Sequence, residues 1–289
     1  MCDKINDFMY LYMYHLENFL FSRRKELAKI SFQSDEANTD RPLKEYLKNL
    51  IENEFNCIPS NSEIANVNIE GKKYSSLEAL GDMYISKVLL PEEITPEIKA
   101  SIKETKSSTY TNPDICFVVR DNLSSFYEAI ELKSTKRDSI PGSSIQQILP
   151  DQWVIFIKHT KTDTDIATGK YINTINSKMQ FPDRSPRPQV SFIELKNWNK
   201  KYRSIKNNSL IYAKDENASE KFQLISDWQN VLSNRWIEML FESNTSGKNE
   251  PWYNNNMRKF ILSFLNKYES LTTEEQLDFK LKVKNSIIE

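Results

Sequence analysis

The chain has 289 residues, of which 39% are hydrophobic and 27% charged, and its formal net charge is −1. This composition is typical of a globular protein, and it excludes a disordered chain or one drawn to nucleic acid by its overall charge. Five glycines, two histidines and three widely spaced cysteines leave no glycine-rich phosphate loop, His-rich zinc site or disulfide framework. We therefore expect no nucleotide cofactor.

The compartment is inferred from the same sequence. The apolar stretch 8–21 contains His15 and Glu17 and has no small-residue cleavage site, so it predicts neither a signal peptide nor a membrane span. We expect no membrane partner and a reduced cytoplasmic setting. The abundance of Lys, Asn and Ile favours a bacterial source.

The first 105 residues show mainly helical patterns. Apolar residues recur at helical spacing, and Ser75 with Glu78 resembles a capping box that would begin a helix ending before Pro91. The predicted helices are 4–31, 41–57, 75–90 and a short one after Pro96. We expect a helical N-terminal part over about 1–105.

The pattern changes to β-type runs from about residue 106. Two apolar runs flank turn residues 120–125, which predicts a hairpin, and the C-terminal part returns to helical spacing. The predicted strands are 115–119, 126–132, 153–157 and 190–195, and the predicted helices are 144–149, 219–242, 252–268 and 273–288. The expected fold is α/β, with a mixed central sheet flanked by helices and with helical N- and C-terminal additions.

The predicted hairpin carries the residues that suggest chemistry. Asp114 follows Pro113 at the start of one strand, and Glu131-Leu132-Lys133 closes the other. Strand side chains alternate between faces, so Glu131 and Lys133 should share one face while Leu132 points to the core. Two carboxylates at one end of a hairpin are suited to Mg²⁺, which prefers oxygen ligands, and Lys133 would orient a water molecule or stabilise developing negative charge.

Glu-x-Lys is by itself a weak signal, because it occurs five times in the chain. The strongest alternative is Glu194 with Lys196, which also follows a β-type run and has Asp183 upstream. The prolines after Asp183 argue against the central strand that such a site needs, whereas Asp114 is followed by an uninterrupted apolar run.

The Pro113-Asp114 and Glu131-Leu132-Lys133 motifs resemble those of the PD-(D/E)xK nuclease superfamily, in particular type II restriction endonucleases. The resemblance covers about residues 110–160. It implies a restriction-endonuclease-like core, with Asp114, Glu131 and the Leu132 backbone carbonyl holding Mg²⁺ and with Lys133 serving the attacking water. The chain would then be a single nuclease domain over 1–289, with its catalytic core at about 106–215 and a helical C-terminal part at about 216–289.

This resemblance implies an Mg²⁺-dependent, site-specific endonuclease that acts on double-stranded DNA, commonly as a homodimer. A repair or structure-selective nuclease, and a non-catalytic DNA- or protein-binding protein of similar fold, remain as alternatives. Glu52 and Glu78 are candidates for a further metal ligand. The residues expected to contact the DNA backbone are Lys136, Arg137, Ser143, Ser144 and Gln147. The basic stretch 184–206, interleaved with Trp198 and Tyr202, is a second candidate for phosphate contact or else a solvated surface.

Overall fold

The computed structural model describes residues 2–30, 41–71, 73–106, 113–140, 149–160, 162–176, 188–242 and 252–287. Its helices are α1 Cys2–Ser22, α2 Arg24–Leu27, α3 Arg41–Glu54, α4 Leu77–Leu80, α5 Pro96–Lys106, α6 Phe192–Tyr202, α7 Ala218–Ser226, α8 Trp228–Glu242, α9 Trp252–Glu269 and α10 Thr273–Ser286. Its strands are β1 Asn66–Ile69, β2 Lys73–Ser76, β3 Tyr84–Leu89, β4 Ile115–Arg120, β5 Ser125–Thr135, β6 Ser139–Ile140, β7 Trp153–His159, β8 Thr164–Lys170, β9 Ile175–Asn176, β10 Gln189–Ser191, β11 Arg203–Lys206 and β12 Ser209–Tyr212.

The central sheet has five strands in the order β3-β4-β5-β7-β8. It is mixed, because β5 and β7 are parallel while the other neighbours are antiparallel. A four-stranded sheet has the order β11-β12-β1-β2 and includes one parallel pair, and a small antiparallel sheet has the order β6-β10-β9. The expected mixed α/β architecture, with sheets flanked by helices, is confirmed.

The two faces of the central sheet bury different cores. On one face, α1 and α3 pack on the sheet in the largest apolar cluster, where the Tyr12 and Phe117 rings meet edge to face with centroids 6.0 Å apart. On the other face, one cluster joins α5 to β4, and a second joins α6 and α7 to β7. Ala129 of β5 belongs to the α5 cluster and Val154 of β7 to the α6 cluster. The segment of β5 after Ala129 therefore emerges between two apolar clusters.

The helix predicted over 75–90 is wrong. Ser76, rather than Ser75, is the N-cap, and its hydroxyl accepts a hydrogen bond from the Ala79 N–H at 3.2 Å. The helix ends at Leu80, before Gly81, and the chain then forms β3 at the edge of the central sheet. Tertiary pairing with the buried strand β4 decides the conformation of this β-branched and aromatic segment.

The strand predicted over 190–195 is also wrong after its first two residues. Strand β10 ends at Ser191, whose hydroxyl accepts a hydrogen bond from the Glu194 N–H at 3.3 Å and so caps α6. Ser191 and Glu194 have the spacing of a capping box, which favours a helix start over strand continuation.

Other predictions are confirmed with shifted ends. The 41–57 helix is α3, the hairpin strands are β4 and β5, and the 153–157 strand is β7. The predicted 219–242 helix is divided into α7 and α8 at Asp227. Strands β1, β2 and β3 lie in the part expected to be helical, and residues 144–148 of the predicted 144–149 helix lie outside the described residues. The division of the chain into three parts stays a prediction.

Within the described residues, no helix combines the length and apolar character needed to cross a bilayer.

Candidate functional site

The hairpin brings Asp114 and Glu131 to the same end of the central sheet. Strands β4 and β5 are antiparallel, and the last residue pair of their ladder is Ile115 with Ile130. One further step in this register places Asp114 beside Glu131, where cross-strand side chains on one face are about 5 Å apart at their Cβ atoms. The sequence-based expectation that the two carboxylates lie near each other matches this register.

The backbone of β5 contacts Asp114 directly. Since β4 begins at Ile115, Leu132 lies beyond the ladder, and its N–H donates a hydrogen bond to Asp114 Oδ2 at 2.9 Å. The N–H and C=O of a strand residue point to the same side of the strand, so the Leu132 carbonyl also points to the Asp114 side of β5. The Leu132 side chain is 2% exposed and packs in the large core, as its expected parity requires.

Glu131 and Lys133 form a close pair on the face opposite that core. Lys133 Nζ donates a hydrogen bond to Glu131 Oε1 at 2.6 Å. Their side chains are only 10% and 16% exposed, because they emerge between the two apolar clusters of this face. An ion pair with so little solvent interacts more strongly than a surface pair, and each partner also has a larger desolvation cost.

Burial controls the protonation of this pair. It raises the pKa of Glu131, Lys133 partly offsets that effect, and the nearby negative charge of Asp114 adds to it, so that the pKa lies at about 7. Burial acts to lower the pKa of Lys133, but Glu131, Tyr171 and Asp114 together raise it above its ordinary value. Lys133 is therefore held as an ammonium, whereas Glu131 gains and loses its proton near neutral pH.

Two residues near this site carry no sequence signal that identifies them. Lys44 of α3 forms an ion pair with Asp114, with Nζ 2.7 Å from Oδ1. Tyr171, which follows β8 and is fully buried, is close enough to Lys133 to influence its pKa. Neither residue has a motif of its own, and both reach the site through tertiary packing.

The donor set is suited to a hard cation with few protein ligands. Among the described residues, no group of three or more His, Cys, Asp or Glu side chains is placed to hold a metal ion. Mg²⁺ commonly binds through one or two carboxylates and keeps several waters, so Asp114, Glu131 and the Leu132 carbonyl fit that ion. They do not fit a structural zinc site, which requires four nitrogen or sulfur ligands.

The two candidate extra ligands have different surroundings. Glu52 Oε1 accepts a hydrogen bond from the Val88 N–H at 2.8 Å, so this carboxylate supports strand β3. Glu78 lies in the first turn of the short helix α4, where a carboxylate is favourable for the helix dipole. The structure brings neither carboxylate into a metal-holding group with Asp114 and Glu131.

Two of the five residues expected to contact DNA lie in the described part of the chain. Lys136 and Arg137 follow the end of β5, and both are exposed. Lys136 is three residue steps along the chain from Lys133, which corresponds to about 10 Å in an extended strand. Ser143, Ser144 and Gln147 lie outside the described residues.

The alternative Glu-x-Lys motif is placed differently. Glu194 and Lys196 are in helix α6 instead of at the end of a strand, and Lys196 Nζ lies 2.9 Å from Asp165 Oδ1. Asp183 lies outside the described residues. The described part of this motif therefore lacks the arrangement of Asp114 and Glu131, in which two carboxylates meet at the end of one hairpin.

Part of the basic stretch 184–206 lines an open cavity of about 440 Å³ between α1, α6 and β11. Lys196, Lys200 and Arg203 are on its wall, together with Glu17. The Arg203 guanidinium donates a hydrogen bond to the Glu17 carboxylate, which also accepts one from the Thr168 N–H at 2.6 Å. Trp198 and Tyr202 are buried, so they are core residues and do not form an aromatic surface for bases.

Comparisons with protein-family models, with curated proteins and with solved structures found no match to this chain. The functional interpretation therefore depends on the residues described above and on their geometry.

Proposed function

We propose that this chain is an Mg²⁺-dependent, site-specific endonuclease of the type II restriction class that hydrolyses phosphodiester bonds in double-stranded DNA. One observation carries the proposal: Asp114 and Glu131 lie side by side at the end of the β4–β5 hairpin, with Lys133 bonded to Glu131. A surface hairpin with an ordinary Glu–Lys pair does not require a second carboxylate there, nor partial burial of all three groups.

Strand topology supports the finer fold assignment within this proposal. The hairpin that carries the three residues is followed in the central sheet by β7, parallel to β5. A hairpin with a third strand beside it is the part of the fold to which the resemblance with PD-(D/E)xK nucleases extends. We therefore propose a restriction-endonuclease-like core.

Each residue has a separate proposed task. Asp114, Glu131 and the Leu132 carbonyl would hold Mg²⁺, which when bound lowers the pKa of water and neutralises charge on the phosphate. Lys133 remains charged, as its raised pKa requires, and its ammonium stabilises negative charge that develops on the phosphate oxygens. Lys136 and Arg137 are exposed beside this strand end, where their charges would contact neighbouring phosphates.

A homodimer in the bacterial cytoplasm is part of the same proposal, since a two-fold protein matches a palindromic site and cuts both strands. The C-terminal helices expose several large apolar side chains, a composition that favours association. These side chains are Ile237, Phe241, Phe260, Leu262, Leu265, Leu277 and Leu281. Light scattering coupled to size exclusion should give a mass near twice 33.9 kDa.

The direct test is digestion of unmethylated phage DNA with Mg²⁺ and with chelator. We expect discrete fragments in Mg²⁺ alone, and a loss of at least about 100-fold in rate for Asp114→Asn and for Lys133→Met. Glu128→Gln is a matched control, because Glu128 is on the same strand with its side chain on the opposite face. Lys196→Met controls for the alternative motif, and both control variants should cut at the wild-type rate.

The pattern of cutting separates this proposal from the alternatives. Nicks or cuts confined to junctions and damaged sites would indicate a structure-selective nuclease. If DNA is bound but stays uncut with every divalent metal, the chain is a non-catalytic binding protein. Normal cutting by both Asp114→Asn and Lys133→Met would show that the site lies elsewhere.

A further inference from the structure

Lys44 places a positive charge on one of the two carboxylates of the site. Its Nζ lies 2.7 Å from Asp114 Oδ1, and the side chains of Lys44 and Asp114 are 17% and 25% exposed. The other oxygen of Asp114 accepts the Leu132 N–H. Both oxygens of this carboxylate therefore already have a partner: the Lys44 ammonium at Oδ1 and the Leu132 backbone N–H at Oδ2.

The packing of helix α3 determines the position of Lys44 relative to Asp114. Lys44, Lys48 and Glu52 are spaced four residues apart and so lie along one face of the helix. Lys48 Nζ lies 2.6 Å from Glu93 Oε2, and Glu52 bonds to the backbone of β3. The helix is anchored on the large core by buried side chains, namely Leu43, Leu47, Leu50 and Ile51. The buried side chains of α3 and the contacts of Lys48 and Glu52 thus hold Lys44 beside Asp114.

A lysine ammonium and a divalent cation both bind to the oxygen atoms of a carboxylate. A metal ion at Asp114 Oδ1 would lie within a few ångströms of the Lys44 ammonium, in a site with little solvent to screen their repulsion. The Leu132 N–H takes one lone pair of Oδ2, so the metal and the Lys44 ammonium share the remaining acceptor positions of this carboxylate. Lys44 therefore opposes metal binding by its charge unless it moves away from Oδ1.

We infer that Lys44 is an internal counter-ion that competes with a divalent cation for Asp114, so that the lysine and the metal occupy this carboxylate in turn. The inference rests on the proposed role of Asp114 and Glu131 as metal ligands. Lys44 is a positioning residue in this scheme: it keeps Asp114 paired in the metal-free protein and sets how tightly the site takes up metal.

Mn²⁺ binding by the purified full chain, followed through the spin-resonance signal of free Mn²⁺, tests the inference without measuring cleavage. Lys44→Met removes the charge and should tighten Mn²⁺ binding about tenfold, which corresponds to about 1.4 kcal/mol. Lys44→Arg keeps the charge and should stay near the wild-type affinity. Lys48→Met is the matched control, because Lys48 is on the same helix face and has similar exposure, at 19%, but pairs with Glu93 instead of Asp114. Its affinity should equal that of the wild type.

The outcomes separate this inference from the proposal on which it rests. If Asp114→Asn abolishes Mn²⁺ binding while Lys44→Met leaves it unchanged or weaker, Lys44 is no competitor and the metal site stands. If the wild type binds no Mn²⁺ and Asp114→Asn changes nothing, the metal site and the inference are both refuted. Should Lys44→Met fail to fold, as judged by circular dichroism, Lys44→Gln removes the same charge with a polar side chain, and the same tightening is expected.

Discussion

Glu131 should make the metal-free protein less stable as the pH rises through neutrality. Its pKa of about 7 in the folded protein exceeds the 4.5 of an ordinary glutamate. The folded state therefore binds the proton more tightly than the unfolded state does between pH 4.5 and 7, and stability falls with rising pH across this window. The difference between the two pKa values corresponds to about 3 kcal/mol as an upper limit.

Glu131→Gln isolates this contribution, since glutamine resembles the protonated carboxyl and does not titrate. Urea unfolding of both proteins at pH 5 and pH 8.5, with chelator present, gives the free energy of unfolding of each. We expect the variant to gain about 2 to 3 kcal/mol on the wild type between the two pH values. Groups other than Glu131 titrate in both proteins, so their contributions cancel in this comparison.

Glu93→Gln is the control for a carboxylate of the opposite kind. Burial acts to raise the pKa of Glu93, but the Leu90 N–H and Lys48 together lower it below its ordinary value. Its stabilising effect is present above the unfolded pKa and is lost only as the pH falls through the lower folded pKa, so the Glu93→Gln difference should be flat from pH 5 to 8.5. A flat difference for Glu131→Gln as well would refute the reasoning, because Glu131 would then ionise as an exposed glutamate does.

Three further substitutions test the packing around the site. Arg203→Met should destabilise the protein by about 3–5 kcal/mol in urea unfolding, because it leaves the Glu17 carboxylate unpaired where both side chains are 12% exposed. Gly169→Ala should cost about 1–3 kcal/mol in thermal unfolding, since its new Cβ would lie 2.7 Å from Leu195 Cδ1. Ser191→Ala should cost about 1 kcal/mol by removing the helix cap, while Ser191→Thr should retain most of that stability in the same urea experiment.

Short-range patterns predicted the fold where one strand follows another along the chain. The sequence predicts the β4–β5 hairpin because its apolar runs and turn residues are adjacent in the chain. In the turn, the Asp121 carboxylate accepts hydrogen bonds from the Leu123 and Ser124 N–H groups. Strand β3 was missed because its pairing with β4 joins segments some thirty residues apart, across helix α5. The start of α6 differs from the prediction although Ser191 supplies a local cap signal, because the apolar residues in 190–195 also match the pattern of a short strand.

The candidate site divides in the same way. The sequence identifies Asp114, Glu131 and Lys133 because strand parity and hairpin register relate them within one supersecondary unit. It does not identify Lys44, because the helix that carries Lys44 meets the hairpin only through the tertiary packing of the large core. Lysines at helix surfaces are common, and the sequence has no feature that distinguishes Lys44 from Lys48, four residues away on the same face.

The charge of Lys44 should affect how strongly metal binding and DNA binding are coupled at the proposed site. Asp114 and Glu131 carry two negative charges when both are ionised, and Lys44 and Lys133 carry two positive charges, so the metal-free site is balanced. Lys44 gives up Asp114 Oδ1 to a divalent cation but stays on α3 beside the site, so the added cation leaves an excess of two positive charges in a little-hydrated space. A phosphodiester with its single negative charge would partly offset this excess. The proposed substrate should therefore strengthen metal binding, and by linkage the metal should strengthen DNA binding by the same factor.

Without Lys44 the metal-loaded site would have an excess of only one positive charge, so this coupling should be smaller in Lys44→Met than in the wild type or in Lys48→Met. Mn²⁺ titrations of these three proteins with and without a DNA duplex measure the coupling, and an equal factor in all three would refute this charge argument.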